Sequence, residues 1–142
     1  SLYGAARWLY CPGRRMDLTP MTKNASDGRL GLDDPATTTH RADLLRRRAY
    51  LQQLYRHWYA LLIAELPAVT GRVLELGSGG GFLKDLLPEV ITSDVLPIPT
   101  VERVLDARDL PFGDASLRSI VGTNVLHHIP EIERFFDEAS RV

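Results

Sequence analysis

The first chemical signal in the chain is an acid followed by closely spaced glycines. Glu75-x-Gly77-x-Gly79-x-Gly81 closes a short apolar run, Val73-Leu74-Glu75-Leu76, and opens a segment that starts with Phe82 and Leu83. Glycine can take positive φ in a tight turn and, lacking a Cβ, lets backbone N–H groups approach a ligand closely. The spacing separates ligand classes. A dinucleotide fingerprint counted from Gly77 and Gly79 puts Phe82 where the third glycine belongs, and no lysine follows a glycine as a P-loop requires. Asp94 stands 19 residues beyond Glu75, an acceptor-only group suited to a ribose diol. The ligand implied is adenosine-shaped and carries no pyrophosphate.

These residues need strands and helices to hold them. Arg72 to Leu76 reads as a strand buried on both faces, Phe82 to Leu87 as a short helix stopped by Pro88, and Val90 to Ser93 as a second strand ending in Asp94. Together they make a right-handed βαβ unit. A third strand, Val101 to Leu105, follows so closely, with Pro97 and Pro99 between, that no crossover helix fits; that side of the sheet is expected to be thin. Leu117 to Thr123 is a fourth strand. Glu131 to Arg141 is a closing helix with Ile132, Phe135, Phe136 and Ala139 inward.

Upstream, residues 39–66 form one predicted amphipathic helix. Leu44, Leu51, Leu54, Tyr55, Trp58, Leu61 and Leu62 make its apolar stripe, and Pro67 ends it. Arg46-Arg47-Arg48 and His57 belong to its solvated face. Its expected place is beside the first strand, covering the ligand cleft. Residues 1–38 read as an arm with little regular structure, and Tyr3, Trp8 and Tyr10 would anchor it if it folded over the site as a lid.

Composition bounds the remaining classes. The chain has 142 residues, one domain's worth, with 17 basic and 18 acidic side chains and a formal charge of −1. No basic face with interleaved aromatics points to nucleic acid, and no apolar run approaches the roughly 18 residues of a membrane span. The lone Cys11 excludes an internal disulfide framework and fits a reducing, cytoplasmic setting. No ligand-spaced cluster suggests a metal. His127 and His128 are adjacent, expected to point apart and to line the cleft, with His128 the candidate if a general base is used.

From Gly71 to Val142, four pieces in order resemble the class I S-adenosylmethionine-dependent methyltransferases, of the methyltransferase type 11 kind. Glu75-Leu-Gly77-Ser-Gly79-Gly-Gly81 is similar to the family's first motif, Asp94 to the acid of the second, Asp106-Ala107-Arg108-Asp109-Leu110-Pro111-Phe112 to the third, and Asn124-Val125-Leu126-His127-His128-Ile129 to the fourth. The resemblance implies an α/β, Rossmann-like, doubly wound sheet that is mostly parallel, with strand order 3-2-1-4. It implies S-adenosylmethionine as cofactor. The Gly77–Gly81 turn, Ser78 included, would hold the methionyl part, and Glu75 would order the turn and help bind the amino group. Asp94 would take both ribose hydroxyls, with Val95 beside the adenine. Asp106 would accept from the adenine amino group, the Ala107 N–H would reach a ring nitrogen, and Asn124 would line the cleft near the sulfonium. No catalytic residue is assigned, because the leaving group arrives activated.

The same resemblance sets an expectation about extent. The family's sheet continues with strands five to seven, so the chain reads as a truncated form or the cofactor-binding half of an enzyme. Strand four would then be an exposed apolar edge, through which two copies could pair. The expected activity is methyl transfer to a small-molecule acceptor. The alternatives are a non-catalytic module of the same fold that binds an adenosyl ligand or a protein partner and, opposed by Phe82, a nucleotide-dependent oxidoreductase. Asp94→Ala is expected to abolish adenosyl-ligand binding with little loss of fold.

Overall fold

The computed structural model describes residues 35–142. The predicted lid anchors Tyr3, Trp8 and Tyr10, and Cys11, lie outside the described residues. Along the chain come α1 (Pro35–Arg47), α2 (Ala49–Ala64), β1 (Arg72–Leu76), α3 (Leu83–Leu86), β2 (Val90–Asp94), β3 (Arg103–Val104), β4 (Leu117–Gly122), a single 3-10 turn (Leu126–His128) and α4 (Ile132–Arg141). The four strands form one sheet in the order β3-β2-β1-β4, every pairing parallel. This is the Rossmann-like α/β arrangement that the motif order implied.

Alternation along β1 builds two cores. Val73 joins Val90 and Val121 on one face, under Tyr59 of α2 and Leu83 of α3. Leu74 and Leu76 join Leu105, Leu110 and Phe135 of α4 on the other. Burying such side chains contributes about 1.5–3 kcal/mol each, so the strand is fixed from both sides. Because all strands run the same way, Gly77, Asp94, Asp106 and Asn124 follow strand ends along one edge of the sheet.

The predicted helix over residues 39–66 is two helices. It starts earlier, at Pro35, and breaks at Arg48, whose backbone is extended with φ −103° and ψ 102°. The break preserves hydrogen bonds on both sides: Arg48 N–H donates to Leu44, and the Arg48 carbonyl accepts from the Gln52 N–H. The Gln52 side-chain amide donates to the Arg46 carbonyl. With the axis redirected, the buried face of α1 is Ala42 and Leu45, while the predicted Leu44 is exposed. Leu61 is exposed as well, and Tyr59 takes the deepest place on α2. In α4, Phe135 is fully buried, but its neighbour Phe136 is 39% exposed, one helical step around from the core.

The break also explains how the thin side of the sheet is closed. Between β2 and β3 there is only a loop, as Pro97 and Pro99 demand, and α1 lies against that loop and the glycine turn. Ala42 and Ile98 are buried there. A helix from ahead of the sheet thus stands where a crossover helix is missing. The third strand is shorter than predicted. Its neighbours still bond β2, Glu102 N–H to Thr92 and Leu105 N–H to Asp94, but only Arg103 and Val104 keep strand geometry.

Candidate functional site

The turn after β1 is shaped by its glycines and fixed from below. Gly77 and Gly79 have φ of +61° and +50°, the left-handed region where a side chain is strained. Gly80 and Gly81 are close-approach positions instead: a Cβ on Gly80 would stand 2.3 Å from the Cβ of Ala42, and one on Gly81 2.4 Å from the Tyr59 hydroxyl. So α1 and α2 press on the turn. Tyr59 Oη also accepts the Phe82 N–H at 3.3 Å. Burial, with the Glu75 carboxylate nearby, holds the Tyr59 phenol well above its ordinary range.

Glu75 lies beneath this turn, 3% exposed. Ser78 Oγ donates to Glu75 Oε2 at 2.8 Å and accepts the Ser93 N–H at 3.1 Å, while Ser93 Oγ donates to the Glu75 carbonyl at 2.6 Å. The Ser78 N–H donates to the Ser93 carbonyl. Two serines therefore stitch the turn to the end of β2. Desolvation pushes the Glu75 carboxyl up to about 7, and the bond from Ser78 only partly offsets it.

Asp94 is tied to the same turn. Its Oδ2 accepts the Gly79 N–H at 3.1 Å and its Oδ1 the Leu96 N–H at 3.0 Å. Each oxygen keeps acceptor capacity for a further donor. The expectation that Asp94→Ala would spare the fold is corrected here, since that change leaves two backbone donors without their acceptor. Val95 beside it is 67% exposed, an apolar side chain held in the open.

The other strand ends are organised differently. Asp106, after β3, is clasped by Arg108 through Nε and Nη2, with the Arg108 N–H adding a bond to Oδ1. This pairing holds the Asp106 carboxyl down at about 2. Nη1 of Arg108 reaches Glu131 Oε1 at 2.7 Å. Ala107 is half-buried between the two partners of this pair. Asn124 is exposed with φ +59°, a left-handed conformation that asparagine tolerates. The predicted divergence of His127 and His128 does not occur: in the tight 3-10 turn their ring centroids are 3.9 Å apart. Burial and the neighbouring ring keep the His127 pKa below its ordinary value.

Cavities of about 190 and 240 Å³ flank the glycine turn, one between α1 and Ile98–Thr100, the other bordered by Arg46, Ser78, Gly81 and Lys84. Neither is lined by Asp106, Ala107 or Asn124. The structure thus joins Glu75, Ser78, Gly79 and Asp94 by direct bonds and places Asp106 and Asn124 farther along the same edge. Sequence reading missed Tyr59 and Arg108. Tyr59 lies four residues after Tyr55, a helical spacing that could have placed it on the stripe, and Arg108 is an arginine two residues after an aspartate.

Residues 74–142 match a family model described as a methyltransferase domain. Searches of curated proteins and of solved structures found no match. That match, together with the all-parallel sheet order, supports a class I, Rossmann-like methyltransferase-like domain over residues 74–142.

Proposed function

We propose that this domain transfers a methyl group from S-adenosylmethionine to a small-molecule acceptor. The observation that carries the reading is the direct bond between the glycine turn and the acid of the second strand, Gly79 N–H to Asp94 Oδ2 at 3.1 Å. It makes one unit of the two features an adenosyl ligand needs, a glycine-rich backbone surface and a carboxylate beside it. The donor set fits such a ligand. Gly77 to Gly81 offer the backbone surface, Asp94 the diol acceptor, Val95 an apolar contact for a base, and Asp106 an acceptor for an exocyclic amine. Glu75, buried and titrating near 7, supports the turn and supplies negative charge toward a cationic amino group as it ionises.

When bound, the cofactor supplies a methyl group already activated on a sulfonium. The protein's work is then positioning and water exclusion, which bring the reacting groups together without an acid for the leaving group. The near-neutral charge supports a small-molecule acceptor over a polyanion. His128 is the candidate base for an acceptor that must lose a proton.

Isothermal titration with S-adenosylmethionine and S-adenosylhomocysteine, with NADH as control, tests the reading. Binding of both adenosyl ligands and not of NADH is expected. A folded chain that binds neither adenosyl ligand would overturn it and favour a module that keeps the fold without turnover, a reading for which the clasped state of Asp106 is the supporting observation.

A further inference from the structure

The Asp106 carboxylate has most of its acceptor capacity engaged by Arg108. Oδ1 takes the Arg108 N–H at 2.9 Å and Nε at 3.0 Å; Oδ2 takes Nη2 at 2.6 Å and Nε at 3.2 Å. A carboxylate offers about four lone-pair sites, and three N–H groups of one residue engage both oxygens, the Nε hydrogen being shared between them. A base amino group arriving at Asp106 competes with the fork of Arg108 for the same two oxygens.

Arg108 has somewhere to go. Its Nη1 already bonds Glu131, the residue ahead of α4, which adopts φ +52°. The guanidinium therefore has two anionic partners on two different elements, and all three side chains are partly open to water, Arg108 at 28%, Asp106 at 43% and Glu131 at 61%. Ion pairs this exposed are weakly held, which keeps an exchange of partners accessible.

We propose that Arg108 is a positioning residue that competes with the adenine base for Asp106, so that base recognition at the end of β3 proceeds by exchange: Arg108 releases Asp106 to the incoming amino group and keeps Glu131. The inference rests on the reading of Asp106 as the base acceptor. It makes the affinity for an adenosyl ligand a difference between two occupants of one carboxylate, and it assigns Glu131 the role of holding the displaced cation. A guanidinium that merely braced the loop would be indifferent to the identity of the base.

The test is titration of the intact chain with S-adenosylhomocysteine and with S-inosylhomocysteine, whose base has an oxo group in place of the amine. Arg108→Ala is expected to bind the adenosyl compound roughly threefold to tenfold tighter than wild type. It should gain nothing for the inosyl compound. Arg108→Lys, which keeps the charge without the fork, falls between, and Glu131→Gln binds the adenosyl compound more weakly than wild type because the displaced Arg108 has lost its second partner. Without ligand, the Asp106 carboxyl followed by NMR should titrate near 2 in wild type and move up in Arg108→Ala. Unchanged or weaker adenosyl binding by a folded Arg108→Ala, with wild type binding normally, overturns the exchange and leaves the cofactor reading intact. Equal gains for both compounds overturn it too. Failure of wild type and every variant to bind would overturn the cofactor reading itself, and the exchange with it.

Discussion

The two ends of the binding edge are held by different physics. Around β1 and β2, the contacts are buried or partly buried and most of them engage the backbone: Ser78 to the Glu75 carboxylate, Ser93 to Ser78 and to the Glu75 carbonyl, Gly79 to Asp94. Between the end of β3 and the start of α4, the contacts are ion pairs partly open to water, Asp106 with Arg108 and Arg108 with Glu131. A buried backbone bond cannot be exchanged without stranding a donor or acceptor, which costs about 1–3 kcal/mol. A solvent-facing ion pair has water as its alternative. One end is therefore shaped before any ligand arrives, while the other can change partners when it does.

The sharpest way to break this contrast is at Glu75. Its folded pKa, about 7, is above its ordinary value of 4.5, so the folded state favours the protonated form. The stability this gives is complete below about pH 4.5 and is lost as pH rises through 7. The shift corresponds to a span on the order of 3 kcal/mol. Glu75→Gln should flatten that dependence, so urea midpoints of wild type and variant diverge between pH 5 and pH 8, with the variant more stable at pH 8. Parallel profiles would show that the buried carboxyl does not titrate as its surroundings require.

A somewhat smaller effect is expected at Gly81. A Cβ there meets the Tyr59 hydroxyl and stands 2.9 Å from the Ser78 carbonyl, so Gly81→Ala should cost about 1–3 kcal/mol by overpacking. Adding Tyr59→Phe removes one of the two clashes. The double variant should recover part of the loss; if its thermal midpoint is no higher than that of Gly81→Ala alone, α2 is not what presses on the turn.

Next comes Asp94→Ala, expected to lower stability by about 1–2 kcal/mol through the Gly79 and Leu96 N–H groups, and to abolish adenosyl binding. Asp94→Asn keeps one of the two acceptor oxygens and should recover only part of the stability, without the binding. If the alanine variant melts with wild type, the turn does not depend on this acid. The smallest effect is expected at the other end: Arg108→Ala should leave the thermal midpoint almost unmoved at moderate salt. A large drop there would erase the distinction between the two ends.

The sequence was most legible where backbone chemistry restricts residue choice. The glycine pattern and the acids at strand ends follow from requirements that few residue types meet, and the strand order came with the family resemblance that those residues carry. The helix at residues 39–66 was half legible. Periodicity assigns faces only while the axis is straight, and the break at Arg48 involves neither proline nor glycine; it follows from the different surfaces that Ala42 and Tyr59 must reach. Phe136 was misplaced because two adjacent aromatics cannot both face one core. The clasp at Asp106 is a side-chain choice among competing partners, Arg108 having Glu131 as well, and a linear pattern does not rank such partners.

The substitution of α1 for a crossover helix has a kinetic consequence. Ala42 and Gly80 are 38 positions apart in the chain, so the contact that seals the turn closes a long loop and is expected to form after the β1–α3–β2 unit beneath it. Undocking α1 would then be a subglobal opening, cheaper than unfolding the sheet. Amide hydrogen exchange should show this directly: the Gly80 amide would exchange at the rate set by α1 release, while those of Val73 and Leu74 wait for the whole domain to open.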